Sequence, residues 1–352
     1  MSKVKPIIGI SIGDINGVGF EVIIKSLLDN RIFDFCTPIV YGSSKVASYH
    51  KKTIDNSEFN FNIIKYPKEA NPHKANLINC WIEEIPVQLG KENETGGKYA
   101  LKSLDAALKD LKSRYIQALV TAPVSKKAVS IVKKDFTGHT DYIKRELNTS
   151  DNLMLMVGDF LKIGLVTVHI PLNEISVLLS ASKIVSKAQI LNDSLRKDFA
   201  VLKPKIAVLG LNPHAGESGL LGKEEQEVII PAVNQLKSSG VMVYGPYSAD
   251  GFFGSGNFKN FDAVLAMYHD QALIPFKYMH FGNGVNYTAG LEFIRTSPDH
   301  GVGYDIAGKN CASEESFRQA IYMACKIYAT RESYIESNAN KLSVKALVQV
   351  DE

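Results

Sequence analysis

Cysteine is scarce in this chain of 352 residues. The four cysteines lie far apart and form no CxxC pair; they are Cys36, Cys80, Cys311 and Cys325. This spacing argues against a disulfide framework and against a metal site built from thiolates. Because free thiols are the default state in a reducing compartment, we expect a cytoplasmic protein.

Long apolar runs and a strong charge imbalance are also absent. No stretch reaches the roughly 18 apolar residues that a membrane span needs, and the opening MSKVKPIIGISIG has no signal-peptide pattern. The formal net charge is +3, too close to balance to indicate nucleic acid as a partner. With 45% hydrophobic and 22% charged residues, the composition is that of a soluble globular protein, and the length suits about two domains.

The common nucleotide-binding signatures are missing as well. A Rossmann domain shows GxGxxG after a strand, and a P-loop shows GxxxxGK followed by Ser or Thr. Two glycine clusters come near the first pattern with the wrong spacing; they are Gly13, Gly17 and Gly19, and Gly251, Gly254 and Gly256. A dinucleotide, if one binds, must therefore be held in another way.

Strand patterns alternate with helix patterns along the chain, which indicates α/β layers. The predicted strands are 6–13, 37–43, 116–120, 161–168, 205–211, 240–244 and 263–267. The predicted helices are 20–28, 99–111, one that follows Gly138 with Thr140 as its N-cap, and 314–330 with Ser313 as its N-cap. Residues 51–95 are less regular, and no hinge-like segment marks a domain boundary.

Three of the apolar runs end in a histidine. They are GLVTVHIPLNE with His169, IAVLGLNPHAGE with His214 and AVLAMYHDQ with His269. Each is typical of a buried strand that delivers its histidine to the strand's carboxyl end, where α/β proteins bind ligands. Three converging imidazoles would form a metal site with one open coordination position. For any one of these histidines alone, a capped or hydrogen-bonded loop residue is the simpler interpretation.

Further candidate binding residues lie in two polar segments. The first spans 32 residues and contains His269, Asp270, Lys277, His280, Asn286, Arg295, Asp299 and His300. Lys277 and Arg295 suit an anionic substrate, and Asp270 could orient the neighbouring imidazole. In the second segment, FTGHTDYI, His139 and Thr140 lie at a predicted helix start, where backbone N–H groups can hold an anion. Surface solvation, or simple capping by Thr140, is the alternative in each case.

Eight segments occur in the order found in the 4-hydroxythreonine-4-phosphate dehydrogenases of vitamin B6 biosynthesis. They are GDINGVGFE, TAPVSK, GHTDY, HIPL, LNPHAGE, ADGFF, AMYHDQALIPFK and VNYTAGLEFIRTSPDHG. The chain resembles that family from about residue 7 to residue 309, and LNPHAGE, YHDQ and FIRTSPDHG together are highly specific. It departs from the family at Ile15 and Phe20, where the family has proline, and at Asp141, where the family has glutamate. These changes spare the candidate ligands but weaken any role for Asp14–Glu21.

The resemblance implies a fold, an assembly and cofactors. The family's fold is similar to that of isocitrate and isopropylmalate dehydrogenases: α/β, with two α/β/α-layer domains around a cleft. We expect an outer domain of residues 1–125 plus 306–352, and an inner domain of residues 126–305 that carries the metal ligands and the dimer interface. The resemblance also implies a homodimer whose active site uses both subunits, NAD or NADP held by loops, and a divalent metal. Three imidazole ligands suit zinc best, with cobalt or magnesium as the alternatives.

Motif by motif, the resemblance assigns roles to particular residues. The metal falls on His169, His214 and His269. Substrate contacts fall on His139, Thr140, Lys277, Asn286 and Arg295. Lys277 is also a candidate for proton handling, and Asp270 is the other candidate catalytic residue. Which residues hold the nicotinamide stays open.

The implied reaction is NAD-dependent oxidation of 4-phosphooxy-L-threonine to 2-amino-3-oxo-4-phosphooxybutanoate, in pyridoxal phosphate biosynthesis. Loss of carbon dioxide then gives 3-amino-2-oxopropyl phosphate, and the metal would act as a Lewis acid on the alcohol. Two alternatives remain open. The substrate could be a phosphorylated threonate or erythronate, because related dehydrogenases share these motifs. A three-histidine metal site could instead serve a hydrolase that needs no NAD.

Overall fold

The computed structural model describes residues 5–54, 58–147 and 151–339. Within these ranges, twelve strands form one sheet. The strands are β1 (Ile7–Ser11), β2 (Thr37–Gly42), β3 (Asn62–Ile64), β4 (Asn76–Asn79), β5 (Ala118–Thr121), β6 (Leu153–Val157), β7 (Lys162–Leu165), β8 (Ile206–Leu209), β9 (Val243–Tyr247), β10 (Ala263–Ala266), β11 (Val285–Ala289) and β12 (Ile294–Pro298).

Helices connect most of these strands. They are α1 (Gly19–Leu27), α2 (Ile32–Phe35), α3 (Ser44–Thr53), α4 (Glu94–Lys112), α5 (Lys126–Val132), α6 (His139–Glu146), α7 (Ile175–Leu178), α8 (Ala181–Lys197), α9 (Ile230–Ser238), α10 (Ala249–Gly254), α11 (His269–His280) and α12 (Glu315–Asn338). Short 3-10 segments and one π-helical turn before α9 complete the connections. No helix in the described ranges has the length and apolar character needed to cross a bilayer.

The sheet consists of two parallel halves joined by an antiparallel centre. Its order is β3-β4-β2-β1-β5-β12-β11-β6-β7-β10-β8-β9. The neighbouring strands β3, β4, β2, β1, β5 and β12 are parallel to one another. The neighbouring strands β7, β10, β8 and β9 are also parallel to one another. Between the halves, β11 is antiparallel to β12 and β6, and β6 is antiparallel to β7. These three reversals make the two halves run in opposite directions.

Helices cover both faces of the parallel strands, so the strands themselves are almost fully buried. On one face, Ile8 and Ile10 of β1 belong to the same apolar cluster as Ile23 of α1. On the other face, Leu119 of β5 packs in a cluster with Leu104 of α4. This two-sided burial explains why the strands of the parallel halves read as continuous apolar runs, and it confirms the predicted α/β class.

Most predicted elements are present with changed ends. The strand predicted at 240–244 begins later, as β9, and the helix predicted at 314–330 runs on to Asn338. No glycine or proline interrupts α12, so nothing in its sequence stops the helix at 330. The helix predicted from Tyr99 begins at Glu94, because the side chain of Asn93 accepts a hydrogen bond from the N–H of Gly96 at 2.9 Å.

Both predicted N-caps are wrong. Gly138 occupies the cap position of α6, and Thr140 is already the second residue of that helix. Gly138 has a φ of +144°, a value that L-residues rarely adopt, so a glycine is needed there. At α12 the cap is Glu314, although the hydroxyl of Ser313 still accepts a 3.4 Å hydrogen bond from the N–H of Glu315.

Five strands, β3, β4, β6, β11 and β12, were not predicted. The last two contain Asn286, Thr288 and Arg295, polar residues that break the apolar pattern of a buried strand. The β6 strand consists of Leu and Met apart from its final valine, and these residue types favour helices in isolation. The predicted outer and inner domains meet where β5 pairs with β12; the domain boundaries themselves stay a prediction.

Candidate active site

A cavity of about 510 Å³ lies at the antiparallel centre of the sheet. Residues of β5, β6, β7, β11 and β12 and the start of α6 line it. Its polar side chains are those of Thr121, Lys126, Thr137, His139, Thr140, Asp141, Asn152, Thr167, His169, Lys183, Lys187, Asn286, Arg295, Ser297 and His300. Five of the nine predicted site residues are among them: His139, Thr140, His169, Asn286 and Arg295.

A larger cavity, of about 1210 Å³, lies between α2 and α12. Its lining includes Phe35 and Tyr322 and none of the predicted site residues. Convergent polar groups with perturbed pKa values mark an active site better than volume does. We therefore place the candidate active site in the smaller cavity.

Arg295 is a buried cation without a carboxylate partner among the described residues. Arg295 belongs to β12, and the residue is 3% exposed. One terminal nitrogen donates to the hydroxyl of Thr121 on β5 at 2.7 Å, and the other donates to the hydroxyl of Thr288 on β11 at 3.3 Å. Its Nε is buried and has no hydrogen-bond partner within the described ranges. Burial lowers the pKa of Arg295 to about 10, so the group stays charged at neutral pH and suits an anionic ligand.

His139, at the first position of α6, faces the same cavity. Burial, and then the charge of Arg295, lower its pKa to about 3, so this imidazole is neutral. Its Nε2 is buried and has no hydrogen-bond partner in the part of the chain that the structure describes. Thr140 follows it in the first turn of the helix. A buried cation and an unpartnered imidazole nitrogen are therefore available to a polar ligand at one place.

The charge of the cavity is predominantly positive. Lys126, Lys183 and Lys187 line it together with Arg295, and Lys187 forms an ion pair of 2.6 Å with Asp151. Among the described lining residues, Asp141 is the only carboxylate, and it accepts a hydrogen bond from the hydroxyl of Thr137 at 2.8 Å. This excess of positive charge favours a phosphate or carboxylate ligand.

Two of the predicted metal ligands approach each other. The rings of His169 and His269 have centroids 5.7 Å apart. The Nδ1 of His269 forms a 2.7 Å hydrogen bond with Asp270 Oδ1, which leaves Nε2 free to coordinate. Burial lowers the pKa of His169, which keeps its imidazole neutral, as a metal requires. These residues fit a transition metal held by nitrogen ligands.

His214 does not complete a three-histidine site within one chain. It follows β8 in a run of left-handed residues, His214 to Ser218, four of which are not glycine. Such backbone costs free energy and is often found at functional sites. His214 lies near Asp250, whose pKa is lowered by hydrogen bonds from Ser248 and Gly251 and then by His214. Over the described residues of a single copy, no three His, Cys, Asp or Glu side chains are placed to hold a metal.

The remaining predicted residues lie outside the cavity lining. Lys277 Nζ lies 3.5 Å from Asp299 Oδ1, and the lysine side chain is 44% exposed. Asp270 is exposed beyond its contact with His269. His280, which belongs to the same polar segment, is buried in the core against Phe276. Lys277 contacts Asp299, whose neighbour His300 lines the cavity.

The segment Asp14–Glu21 makes its contacts inside the protein. Asp14 accepts hydrogen bonds from the hydroxyl of Tyr304 at 2.7 Å and from the N–H of Asn16 at 2.8 Å. Glu21 pairs with Lys25 at 2.8 Å and accepts a 2.9 Å hydrogen bond from the N–H of Ala312. These contacts attach the loop after β12 to the β1–α1 turn, which is a structural role.

Sequence reasoning assigned no specific role to Thr121 and His300, which line the cavity, or to Thr288, which supports Arg295 from β11. Thr121 and Thr288 hold Arg295, and His300 presents a buried Nε2 without a partner. All three lie in the motifs TAPVSK, VNYT and SPDHG. Their relation to Arg295 follows from the position of β12 between β5 and β11, which no local pattern reveals.

Comparison with known proteins identifies the family of the chain. The family model described as pyridoxal phosphate biosynthetic protein PdxA matches residues 34–324. The chain belongs to the PdxA family. This confirms the family resemblance inferred from the motifs.

Similar PdxA family proteins cover almost the whole chain. A 4-hydroxythreonine-4-phosphate dehydrogenase of Bacteroides thetaiotaomicron is 47% identical over 97% of this chain and 94% of its own length. The crystal structure of the enzyme of that name from Klebsiella pneumoniae has a TM-score of 0.81 at 32% identity and covers 93% of this chain and 99% of that one. A protein of Oceanobacillus iheyensis, provisionally named D-threonate 4-phosphate dehydrogenase, is 37% identical over 94% of this chain and 100% of its own length.

Proposed function

We propose that this PdxA family protein oxidises 4-phosphooxy-L-threonine with NAD or NADP, in pyridoxal phosphate biosynthesis. The product, 2-amino-3-oxo-4-phosphooxybutanoate, then loses carbon dioxide to give 3-amino-2-oxopropyl phosphate. The observation that supports this most is the buried, unpaired Arg295 in a cavity of the size that small-molecule sites have. The name shared by the relatives with the highest identity supports the same substrate.

Different residues of the cavity bind different parts of the substrate. Arg295 and His139 bind the phosphate, since both present polar atoms that have no partner among the residues that the structure describes. Thr140 and the first N–H groups of α6 add donors on the same side. Asn286 of β11 contacts the rest of the substrate, and Lys277 pairs with Asp299 at the edge of the site. Orientation of the reacting carbon by several such contacts is a large part of catalysis.

His169 and His269 hold a divalent metal together with His214 of a second copy. We favour zinc, with cobalt or magnesium as alternatives, because imidazole ligands suit zinc and cobalt. When bound, such an ion supplies Lewis acidity that lowers the pKa of an alcohol. Asp270 positions the imidazole of His269 through its hydrogen bond to Nδ1.

The protein acts as a homodimer in the cytoplasm under this proposal. We invoke a second copy because the described residues of one chain contain no group of three side chains that could hold a metal. The cysteines are free thiols, which agrees with a reducing compartment. The nicotinamide is held by loops, to which we assign no residues.

One relative supports a second candidate substrate. The protein from Oceanobacillus iheyensis with the D-threonate phosphate name covers 94% of this chain. D-Threonate 4-phosphate carries a hydroxyl where 4-phosphooxy-L-threonine carries an ammonium group, and both offer the same phosphate to Arg295. The kcat/KM for the two esters, measured side by side, distinguishes them.

The experiment that tests the proposal is formation of NADH. Purified protein with zinc or cobalt and NAD should form NADH when 4-phosphooxy-L-threonine is added, and a chelator should abolish the reaction. Faster turnover of D-threonate 4-phosphate would assign the second candidate. Hydrolysis of an ester without any NADH would contradict both and would support a metal-dependent hydrolase.

A further inference from the structure

We infer that His300 is the proton acceptor for the substrate hydroxyl that is oxidised, an inference that rests on the proposed dehydrogenase function. His300 follows β12 and lines the cavity with Arg295 and His169. Its Nδ1 lies 3.0 Å from the carbonyl oxygen of Gly301. A carbonyl can only accept, so we assign the proton to Nδ1. Nε2 is then an acceptor, and it is buried without a hydrogen-bond partner among the described residues.

Few other groups in the cavity can take this proton. Of the described side chains that line it, His139, Asp141, His169 and His300 can accept a proton at neutral pH. The pKa of His139 is about 3, which makes it a very weak base. Asp141 is exposed and already accepts a hydrogen bond from Thr137. His169 is the proposed metal ligand, so His300 is the remaining base.

The loop that carries His300 is held at several points. The N–H of Asp299 donates to the hydroxyl of Ser316 at 2.9 Å, and that hydroxyl donates to the carbonyl of Gly284 at 2.7 Å. The N–H of Val18 donates to the carbonyl of Val302 at 2.9 Å. The hydroxyl of Tyr304 donates to Asp14. A catalytic base needs such fixed geometry more than it needs an altered pKa.

The reaction balances with this assignment. The O–H bond breaks and its proton moves to His300 Nε2, which becomes an imidazolium. The C–H bond breaks with its electron pair, which moves as hydride to the nicotinamide of NAD, and the carbon–oxygen bond becomes a carbonyl. The substrate is oxidised and NAD is reduced.

Charges around His300 act in both directions on the imidazolium that forms. Asp299, from the same loop, stabilises it, whereas Lys277 of α11 opposes it. These two groups are themselves paired at 3.5 Å, so Lys277 partly offsets the effect of Asp299. Arg295 of β12 and Lys126 of α5 add positive charge along the rest of the cavity. Burial lowers the pKa of His300, which keeps it unprotonated and ready to accept a proton at neutral pH.

The test compares His300→Gln and His300→Asn with the wild type. Asparagine can still donate to Gly301, and glutamine keeps an acceptor near the position of Nε2, but neither takes up a proton. We expect kcat to fall by about 100-fold or more in both variants, with KM for the phosphate ester changed less than threefold. The loss of activity of the wild type at acidic pH, where Nε2 becomes protonated, should be weaker in the variants.

The matched control is His280→Gln. His280 is also a buried histidine whose Nε2 has no partner, but it lies in the core against Phe276, outside the cavity lining. We expect kcat within about twofold of wild type for this variant. Thermal unfolding of each variant shows whether it is folded. If His300→Gln does not fold, the kinetics of His300→Asn are compared with the wild type instead.

Nitrogen NMR of the imidazole gives a readout that does not depend on turnover. The His300 signals, assigned by their absence from His300→Gln, should show a protonated Nδ1 and an unprotonated Nε2. The opposite tautomer would overturn the inference. So would a kcat within fivefold of wild type in folded His300→Gln, or a variant that changes only KM. Absence of NADH formation by the wild type with either phosphate ester would instead overturn the proposed function, and this inference with it.

Discussion

Arg295 is a charged side chain held in a buried place before any ligand arrives. Two threonine hydroxyls satisfy only part of its hydrogen-bonding capacity, and no carboxylate in the described ranges neutralises it. Burial of an unpaired charge destabilises a folded protein. The arrangement is therefore explained by binding: an anionic substrate would supply the missing charge and acceptors.

Replacement of Arg295 by methionine should have opposite effects on stability and on binding. Removal of a buried charge that lies next to a ligand typically costs about 2–5 kcal/mol of binding free energy, so KM for the phosphate ester should rise at least thirtyfold. The protein without ligand should melt at a higher temperature, because the unpaired charge is gone. Steady-state kinetics and calorimetry test the two parts. A fall in kcat with unchanged KM would contradict the binding role.

The start of α6 depends on the backbone of one residue. Gly138 adopts a φ of +144° and thereby places His139 and Thr140 at the cavity. A side chain at this position would contact only the flexible end of Lys126, at 3.3 Å, so the backbone is the main constraint. The helix that carries the predicted anion contacts is thus positioned by a conformation that L-residues rarely adopt.

Gly138→Ala should destabilise the protein by about 1–3 kcal/mol, the usual range for strained backbone. The free energy of unfolding in urea measures this. The control is Gly251→Ala in α10, where a side chain meets nothing within 4 Å and φ is not in the positive range. That variant should be neutral or more stable by up to about 1 kcal/mol. Equal free energies for the two variants would contradict the argument.

A buried ion pair connects α8, β11 and α12. Asp198 on the C-terminal side of α8 is 2% exposed and lies 2.6 Å from Arg331 Nε of α12. The hydroxyl of Tyr287, on β11, donates to the same carboxylate at 2.7 Å. These contacts join the long C-terminal helix to the strands that border the cavity. Among the predicted domains, they link part of the outer one to the inner one.

Arg331→Met should lower the free energy of unfolding by about 3–5 kcal/mol, because it leaves the Asp198 carboxylate buried without its cation. The surface pair Lys45–Glu84, with side chains 58% and 83% exposed, provides the control. Lys45→Met should change the free energy by less than about 1 kcal/mol. Denaturant titration of both variants checks the prediction, and a small effect of Arg331→Met would contradict it.

The positions of the three candidate metal ligands bear on how the protein assembles. His169 and His269 approach each other at one end of β7 and β10, whereas His214 follows β8 in a separate loop. In the proposed metal site, His169 and His269 of one copy act together with His214 of a second copy. A two-fold dimer would build two such sites, each from both subunits.

A mixture of two inactive variants should therefore regain activity. His214→Ala and His269→Ala each remove one ligand from both sites of a homodimer. In a mixed dimer, the His214→Ala chain supplies His169 and His269, and the other chain supplies His214, so one of two sites is intact. Random mixing makes about half of the dimers mixed, and about a quarter of wild-type activity should return.

The control is a mixture of His169→Ala with His269→Ala. These two ligands come from the same chain in the proposed site, so each site of a mixed dimer still lacks one of them, and no activity should return. Recovery in this mixture, or none in the first, would contradict the shared arrangement. Sedimentation of the mixtures shows whether mixed dimers have formed.

Much of the fold and part of the site were predictable from the sequence. The buried strands β1, β2, β8 and β10 are apolar runs with ends marked by polar residues, and the structure confirms them. The strands β11 and β12 were not predicted, because Asn286, Thr288 and Arg295 are polar where a buried strand is normally apolar. The polar residues that prevent these two strands from being recognised in the sequence are the ones that line or support the candidate site.

The α/β class, the family and most candidate site residues follow from the sequence alone, since they depend on local patterns and on motifs with fixed order. Tertiary structure decided which of those residues meet. The strand order β5-β12-β11-β6-β7 brings Thr121, Arg295 and Asn286 to one cavity. It also places His169 near His269 and, over the described residues, leaves the Nε2 of His300 without a partner. These relations join residues far apart in the chain, and no local periodicity contains them.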